Sequence, residues 1–211
     1  MKGSILMIVL LFAFINTKVN AQNKRIIEII DDRDKANLTM ANPKNPFYKL
    51  IYDAVTIGVK STKIKAYTDS TFKKVITSAE VLKIGASEET FPIFPDPENK
   101  PDDYYDTTVS IVLNPAKIYR YVILYNKIET ETEIIYSIYA IAPLIDNWIG
   151  DVKVNEQVLF WVKFSELAEV LGKEIFYAPE NVGAQMTYKD FFEKHLFTAR
   201  ELSPTANLVR Q

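Results

Sequence analysis

Residues 118–125 read Ile118-Tyr119-Arg120-Tyr121-Val122-Ile123-Leu124-Tyr125, with large side chains at both sets of alternating positions. Tyr119, Tyr121 and Ile123 fall on one side of an extended chain, and Arg120, Val122 and Leu124 on the other, which is the period-two geometry of a strand. With bulk on both sides, neither face of this strand is free to meet water, so layers must cover it above and below. Working outward, Ser110 to Leu113 reads as a strand before it. Glu133 to Ala142 follows across the polar stretch Asn126 to Thr132, and Gln157 to Phe164 adds a fourth. Ile64 to Tyr67 and Ile175 to Tyr177 read as shorter strands.

Around this centre the pattern turns helical. Lys24 to Ala36 reads as a helix with Ile26, Ile27, Ile29 and Ile30 on its apolar side, Asp31 and Lys35 placed as an i,i+4 pair, and Asn37 at its end. Asn45 is placed to cap the next helix and Pro46 suits its first position. Phe47, Leu50, Ile51, Ala54 and Val55 then share one face until Gly58. Thr77-Ser78-Ala79-Glu80 opens a short helix with a capping-box pattern that Gly85 closes. Ser165 caps a helix through Leu171 that Gly172 ends, and Thr187 opens a last one running through Phe191, Phe192, His195 and Leu196. Residues 86–107 gather Glu88, Glu89, Asp96, Glu98, Asp102, Asp103 and Asp106 with four prolines, which reads as a surface loop. The expected architecture is α+β: an antiparallel, strand-rich centre flanked by N- and C-terminal helices, in a single domain over residues 22–211.

The start of the chain reads as an export signal. Lys2 gives the positive region, Ile5 to Ile15 is an apolar run, and Val19-Asn20-Ala21 ends on the small residue that cleavage needs, so the mature chain begins near Gln22. Eleven helical residues at about 1.5 Å each reach about half of a roughly 30 Å hydrocarbon core, too short for a span. The sequence holds no cysteine, so neither lipid attachment at a new amino terminus nor a disulfide framework is open to it. Residues 1–21 taken away, 190 remain and the formal charge moves from −2 to −4, since Lys2 and Lys18 leave and no acid does. That balance argues against nucleic acid or anionic lipid as the main partner. The expectation is a periplasmic protein that reaches a membrane through a partner and does not itself insert after cleavage. Its twelve tyrosines and twelve phenylalanines suit both a core and protein interfaces.

Reactive sets are hard to assemble from these residues. His195 is the sole histidine, and it falls mid-helix beside apolar residues, a poor place for the base of a hydrolytic triad. Six glycines form neither G-x-G nor a phosphate loop, so nucleotide binding has no support. Asp96, Glu98, Asp102 and Asp103 lack the turn glycine and spacing of a calcium loop, and carboxylate spacing along a loop does not report the separation that glycoside hydrolysis requires. The residues thus favour a non-enzyme with no catalytic, metal or cofactor site. The alternatives are an exported hydrolase using the acidic loop and a stand-alone periplasmic binding module.

One family resemblance runs along the chain. Ile30-Asp31-Asp32-Arg33-Asp34-Lys35-Ala36-Asn37 resembles the I-D-x-R-[DE]-K-x-N stretch of the gliding-motility and type IX secretion N-subunit family, GldN/PorN. In the same order come Asn45-Pro46, Ala54 and Gly58, Ile64-Lys65-Ala66-Tyr67, Ile141-Ala142-Pro143-Leu144, Leu159-Phe160-Trp161, and a closing helix Thr187 to Phe197 followed by Asn207. The resemblance covers the family's core domain only, without the longer stretch that family members carry before the motif. It implies a non-enzymatic periplasmic component of a trans-envelope secretion and gliding machine. Such subunits build a homo-oligomeric ring with a K-type outer-membrane lipoprotein, engaged by a motor that includes an M-type inner-membrane subunit. It also singles out Asp31, Arg33, Asp34, Lys35 and Asn37 as motif positions, serving either folding or contact.

Overall fold

The computed structural model describes residues 22–57, 64–96, 98, 100, 102–130, 133–149, 151–177 and 185–202. The expected leader 1–21, the helix stop at Gly58 and the closing Asn207 lie outside the described residues. In chain order come β1 (Gln22–Asp31), a 3-10 helix (Lys35–Ala41), α1 (Phe47–Thr56), β2 (Ala66–Tyr67), β3 (Val75–Ile76), α2 (Ser78–Lys83), β4 (Ser87–Ile93) and β5 (Tyr105–Ile111). After a 3-10 turn (Pro115–Lys117) follow β6 (Arg120–Glu129), β7 (Ile134–Ile149), β8 (Val152–Val158), β9 (Val162–Lys163), α3 (Phe164–Leu171), β10 (Ile175–Tyr177), β11 (Gln185–Thr187), α4 (Tyr188–Glu193) and β12 (Arg200–Glu201). The main sheet is antiparallel, in the order β12-β1-β6-β7-β8 with β9 also on β7, so the fold is α+β as expected.

Strand β6 is the middle of the sheet and is covered on both faces, as its sequence requires. Tyr121, Ile123 and Tyr125 enter a large cluster with Phe47, Ile51, Phe160, Leu167 and Phe192, supplied by α1, α3 and α4. Val122 and Leu124 enter a second cluster on the opposite face with Ile29, Tyr67, Ala140, Leu144 and Trp161. Reciprocal backbone hydrogen bonds of 2.9 Å between Tyr67 and Trp161 pin β2 over that second cluster. Each large side chain so buried contributes roughly 1.5–3 kcal/mol.

The stretch Lys24 to Ala36 is not a helix. Its first part is β1, paired with β6 along its whole length from Gln22↔Glu129 to Asp31↔Arg120. Ile26 and Ile30 feed the first cluster while Ile29 feeds the second and Ile27 packs on it, so adjacent isoleucines serve opposite faces of an inner strand. That demand imitates the i, i+3, i+4 spacing of a helix, and β-branched residues favour the strand. The N-terminal flank of the sheet is therefore a strand, and Asn37 lies inside the following 3-10 helix instead of ending an α-helix.

Residues 86–107 are likewise not a loop throughout, because β4 and β5 form a two-stranded hairpin from Ser87↔Ile111 to Ile93↔Tyr105. Pro92 is tolerated because an edge strand can spare an amide. The strand expected from Gln157 to Phe164 is divided: β8 ends at Val158, β9 begins at Val162, and Phe164 already starts α3, with Lys163 at the cap in place of Ser165. Pro46 holds the cap position of α1, while the Asn45 side chain donates to Glu174 Oε2 at 2.7 Å. The capping boxes of α2 (Thr77, Glu80) and α4 (Thr187, Asp190) are formed as read. Gly85 takes φ +74 after α2, where a Cβ would approach Ile145 Cδ1 to 3.2 Å. Helix α4 stops at Glu193, and His195, outside it, has φ +52.

Candidate functional site

The motif residues divide by burial. Asp31 closes β1 and accepts a bidentate pair from Arg33, Nε to Oδ1 at 2.8 Å and Nη2 to Oδ2 at 2.6 Å. Arg33 also lies over the Tyr119 ring, 3.6 Å from its centroid. The Asp31 carboxylate therefore pairs with Arg33, not with Lys35 as a helix would have it. Burial pushes the Asp31 pKa upward, but the Arg33 hydrogen bonds and charge more than offset this and hold it below the ordinary value. Asn37 is fully buried. Its amide donates to the carbonyls of Asp31 (2.9 Å) and Thr198 (2.8 Å), and its oxygen accepts from the Thr198 amide (2.9 Å). It ties the end of β1 to the segment before β12. Asp34 and Lys35, in contrast, stand exposed at the start of the 3-10 helix.

Two groups beside the motif were not legible as special. Asp32 is buried, and that burial, reinforced by the Asp31 carboxylate, pushes its pKa up to about 7; the Tyr121 hydroxyl faces it at 3.5 Å. Arg120, also buried, donates to Asp146 and Glu156, and Tyr119 donates to Asp146 as well. Lys153 adds Nζ contacts of 2.9 Å to Asp146 and 2.8 Å to Glu156, and Arg200 reaches Glu156 at 3.6 Å. This network locks the β6–β7–β8 corner next to the motif. An arginine within the apolar run 118–125 is the sequence signal that could have found it, though its partners lie 26 and 36 residues away.

His195 is wedged among rings, stacked on Tyr136 (4.1 Å, 13°) and packed on Tyr125 and Phe197. Its Nε2 is 4.0 Å from Glu28 Oε2. Burial raises the Glu28 pKa and lowers that of His195, so each is pushed toward its neutral form. The cavity beside them, about 270 Å³, is lined by Lys24, Glu28, Tyr125, Lys127 and Glu201 among others. Among the described residues no group of three or more His, Asp or Glu is placed to hold a metal ion.

A groove of about 460 Å³ opens on the second-cluster face of the sheet, lined by Arg25, Ser70, Thr71, Asn126 and Tyr139. Its construction is unusual in two respects. Pairing of β6 with β7 skips a residue between Leu124↔Ala140 and Tyr125↔Ile138, so Tyr139 is the bulged residue, and a bulge re-aims its side chain. Tyr139 meets Phe72 edge-on at 5.4 Å, and Phe72 holds φ +57, an outlier for so bulky a residue. Arg25 lies 5.8 Å over the Tyr139 ring, and Lys163 Nζ lies 5.1 and 5.4 Å over Tyr67 and Phe72. Asp69, adjoining Ser70, accepts from the Thr71 amide at 2.7 Å, and Glu166 accepts from the Lys65 amide at 3.0 Å and the Tyr67 hydroxyl at 3.2 Å. The groove wall thus carries one base, Arg25, one ring, Tyr139, and the neutral polar side chains of Ser70, Thr71 and Asn126, with Phe72 behind Tyr139.

Its counterpart in chemistry is the β4–β5 hairpin. In its register Phe91, Ile93, Tyr105, Val109 and Ile111 share one face with Glu89 and Thr107, and Glu88, Thr90, Pro92, Asp106, Thr108 and Ser110 share the other. The apolar face is open: Tyr105 is 58% exposed, Val109 47% and Phe91 45%. The expected acidic loop survives as the tip, with Asp96, Glu98, Asp102 and Asp103.

A family model described as "Gliding motility associated protein GldN" matches residues 17–202. No curated protein matches the chain.

Proposed function

The chain belongs to the GldN family of gliding-motility-associated proteins, and from that membership we propose that it is a non-enzymatic periplasmic subunit of the type IX secretion and gliding machinery. In this reading it is exported by residues 1–21, assembles in a ring with a K-type outer-membrane lipoprotein, and passes on work from an inner-membrane motor by contact. The observation that carries the contact role is the β4–β5 hairpin, whose apolar face lies open while β6 in the main sheet is covered on both faces. A monomer gains nothing from such a face, whereas an interface does. Asp34 and Lys35, exposed where Asp32 and Asn37 of the same stretch are buried, fit the same role. His195 fits a packing role, since rings surround it and burial favours its neutral form.

The test is native mass analysis of the purified chain with and without the cognate outer-membrane lipoprotein. A large stoichiometric complex is expected. Two separate species at micromolar concentration would overturn the ring reading. Amino-terminal sequencing of the chain from the periplasmic fraction should begin near Gln22, and an intact Met1 there would overturn cleavage.

A further inference from the structure

We propose that the β4–β5 hairpin of one copy docks, apolar face first, into the Arg25–Tyr139 groove of a second copy. The proposal deepens the ring reading and rests on it, since it names the surfaces through which neighbouring subunits meet. Charge selects the occupant. Residues 87–111 hold seven acids and one lysine, a formal −6 against −4 for residues 22–211, which leaves the rest of those residues at +2. An anionic lipid surface would repel this arm, whereas the groove offers Arg25, which lies over the Tyr139 ring and makes no ion pair among the described residues, with Lys163 over the neighbouring Tyr67 and Phe72 rings.

Shape selects a second copy over the arm's own groove. The arm is rooted through Leu113, which packs in the large cluster with Val81 and Ile145. The groove residue Tyr139 packs on Phe72, which packs with Tyr67 against the cluster on the opposite face of the same sheet. The sheet lies between the root of the arm and the groove of the same copy, while a neighbouring copy presents its groove freely. Aromatic side chains stand on both sides, Phe91 and Tyr105 on the arm and Tyr139 in the groove, backed edge-on by Phe72, the composition of an interface core. The bulge at Tyr139 and the strained backbone at Phe72 are the kind of local cost found at binding sites. Because arm and groove are different surfaces, the contact is head-to-tail, and repetition generates a ring or a filament according to the angle between copies.

The absence of cysteine from the sequence makes the test direct. Two full-length chains, one carrying Thr107→Cys on the apolar face of the arm and the other Ser70→Cys at the groove, are co-expressed, purified as the cell processes them and oxidised with copper phenanthroline. A mixed disulfide dimer is expected. It should fall at least tenfold when Arg25→Glu is added to the groove chain, and return when Asp102→Lys and Asp103→Lys are added to the arm chain; this rescue excludes simple misfolding. Cross-linking confined to two arms, or of the arm to a Val152→Cys probe on the β7–β8 tip, would overturn the proposal, as would no cross-link in chains that melt normally. A large complex with the lipoprotein but without the arm–groove disulfide would refute this contact and leave the ring reading standing. The disulfide without any lipoprotein complex would do the reverse.

Discussion

Strands β5 and β6 are consecutive in the chain and both carry apolar residues at alternate positions, yet they end in opposite environments. From Arg120 to Tyr125 every residue of β6 is buried, while Tyr105, Val109 and Ile111 of β5 are between 40% and 58% exposed. The difference lies in what surrounds each strand. β6 has β1 and β7 as neighbours and a cluster on each face, whereas β5 has β4 alone among the described residues. An isolated two-stranded hairpin is marginal in water, so apolar residues there do little for the fold and remain available for contact. Internal residues of the sheet should therefore govern stability, and arm residues association.

The widest test of that division is Phe47→Ala. Phe47 is fully buried against Tyr121 (4.8 Å), Phe192 (5.0 Å) and Tyr188 (5.4 Å), where β6 meets α1 and α4. The cavity should cost about 3–5 kcal/mol, read as a lower denaturant midpoint in equilibrium unfolding. Leu50→Ala should cost less, because Leu50 is only partly buried against the cluster. Melting unchanged by Phe47→Ala would break the comparison at its strongest point.

Next in size is Arg120→Met, which leaves Asp146 and Glu156 without their buried cation. Removing one partner of such a group is expected to cost about 3 kcal/mol. Asp146→Asn combined with Arg120→Met should recover part of that loss, since the uncompensated charge goes too. A double variant no better than the single would show that the arginine acts by packing its stem.

Asp32 sharpens the same side through pH. Its carboxyl titrates near 7 in the folded chain against an ordinary 3.8, so the protonated form is favoured by folding. The stability it contributes is fully present below about pH 4 and is lost as pH rises to about 7. Asp32→Asn should remove that slope and stabilise the chain at neutral pH by on the order of 2 kcal/mol, measured by urea titrations at several pH values. Equal slopes in the two proteins would show that Asp32 is solvated.

How far the sequence reveals this division depends on the range of the contacts. β6 is legible because both of its faces are written into eight consecutive residues. β1 resists, since Ile26 to Ile30 serve two faces at once and so mimic a helical stripe. The arm is hidden by its prolines and acids, although Tyr105, Thr107, Val109 and Ile111 alternate with polar residues in the plain strand manner. Motif residues illustrate the same limit. The Asp31–Arg33 pair is local, but the partner that fixes Asn37, Thr198, is 161 residues away. Likewise the groove depends on a bulge and on a left-handed Phe72, neither of which has a local signature.

The smallest expected effect is the one on which the comparison turns. Phe91→Ser with Val109→Ser removes two large apolar groups, a change that inside β6 would be severe. On the arm both side chains are nearly half exposed in the monomer, and no third strand pairs with theirs among the described residues. Global stability should therefore stay within about 0.5 kcal/mol of the parent in equilibrium unfolding. Hydrogen exchange should report the same asymmetry, with the amides of β4 and β5 opening at lower cost than those at 121–125. Should the double variant instead lose several kcal/mol, the arm would be part of the folding core, and its exposed face could no longer be read as a surface held for a neighbour.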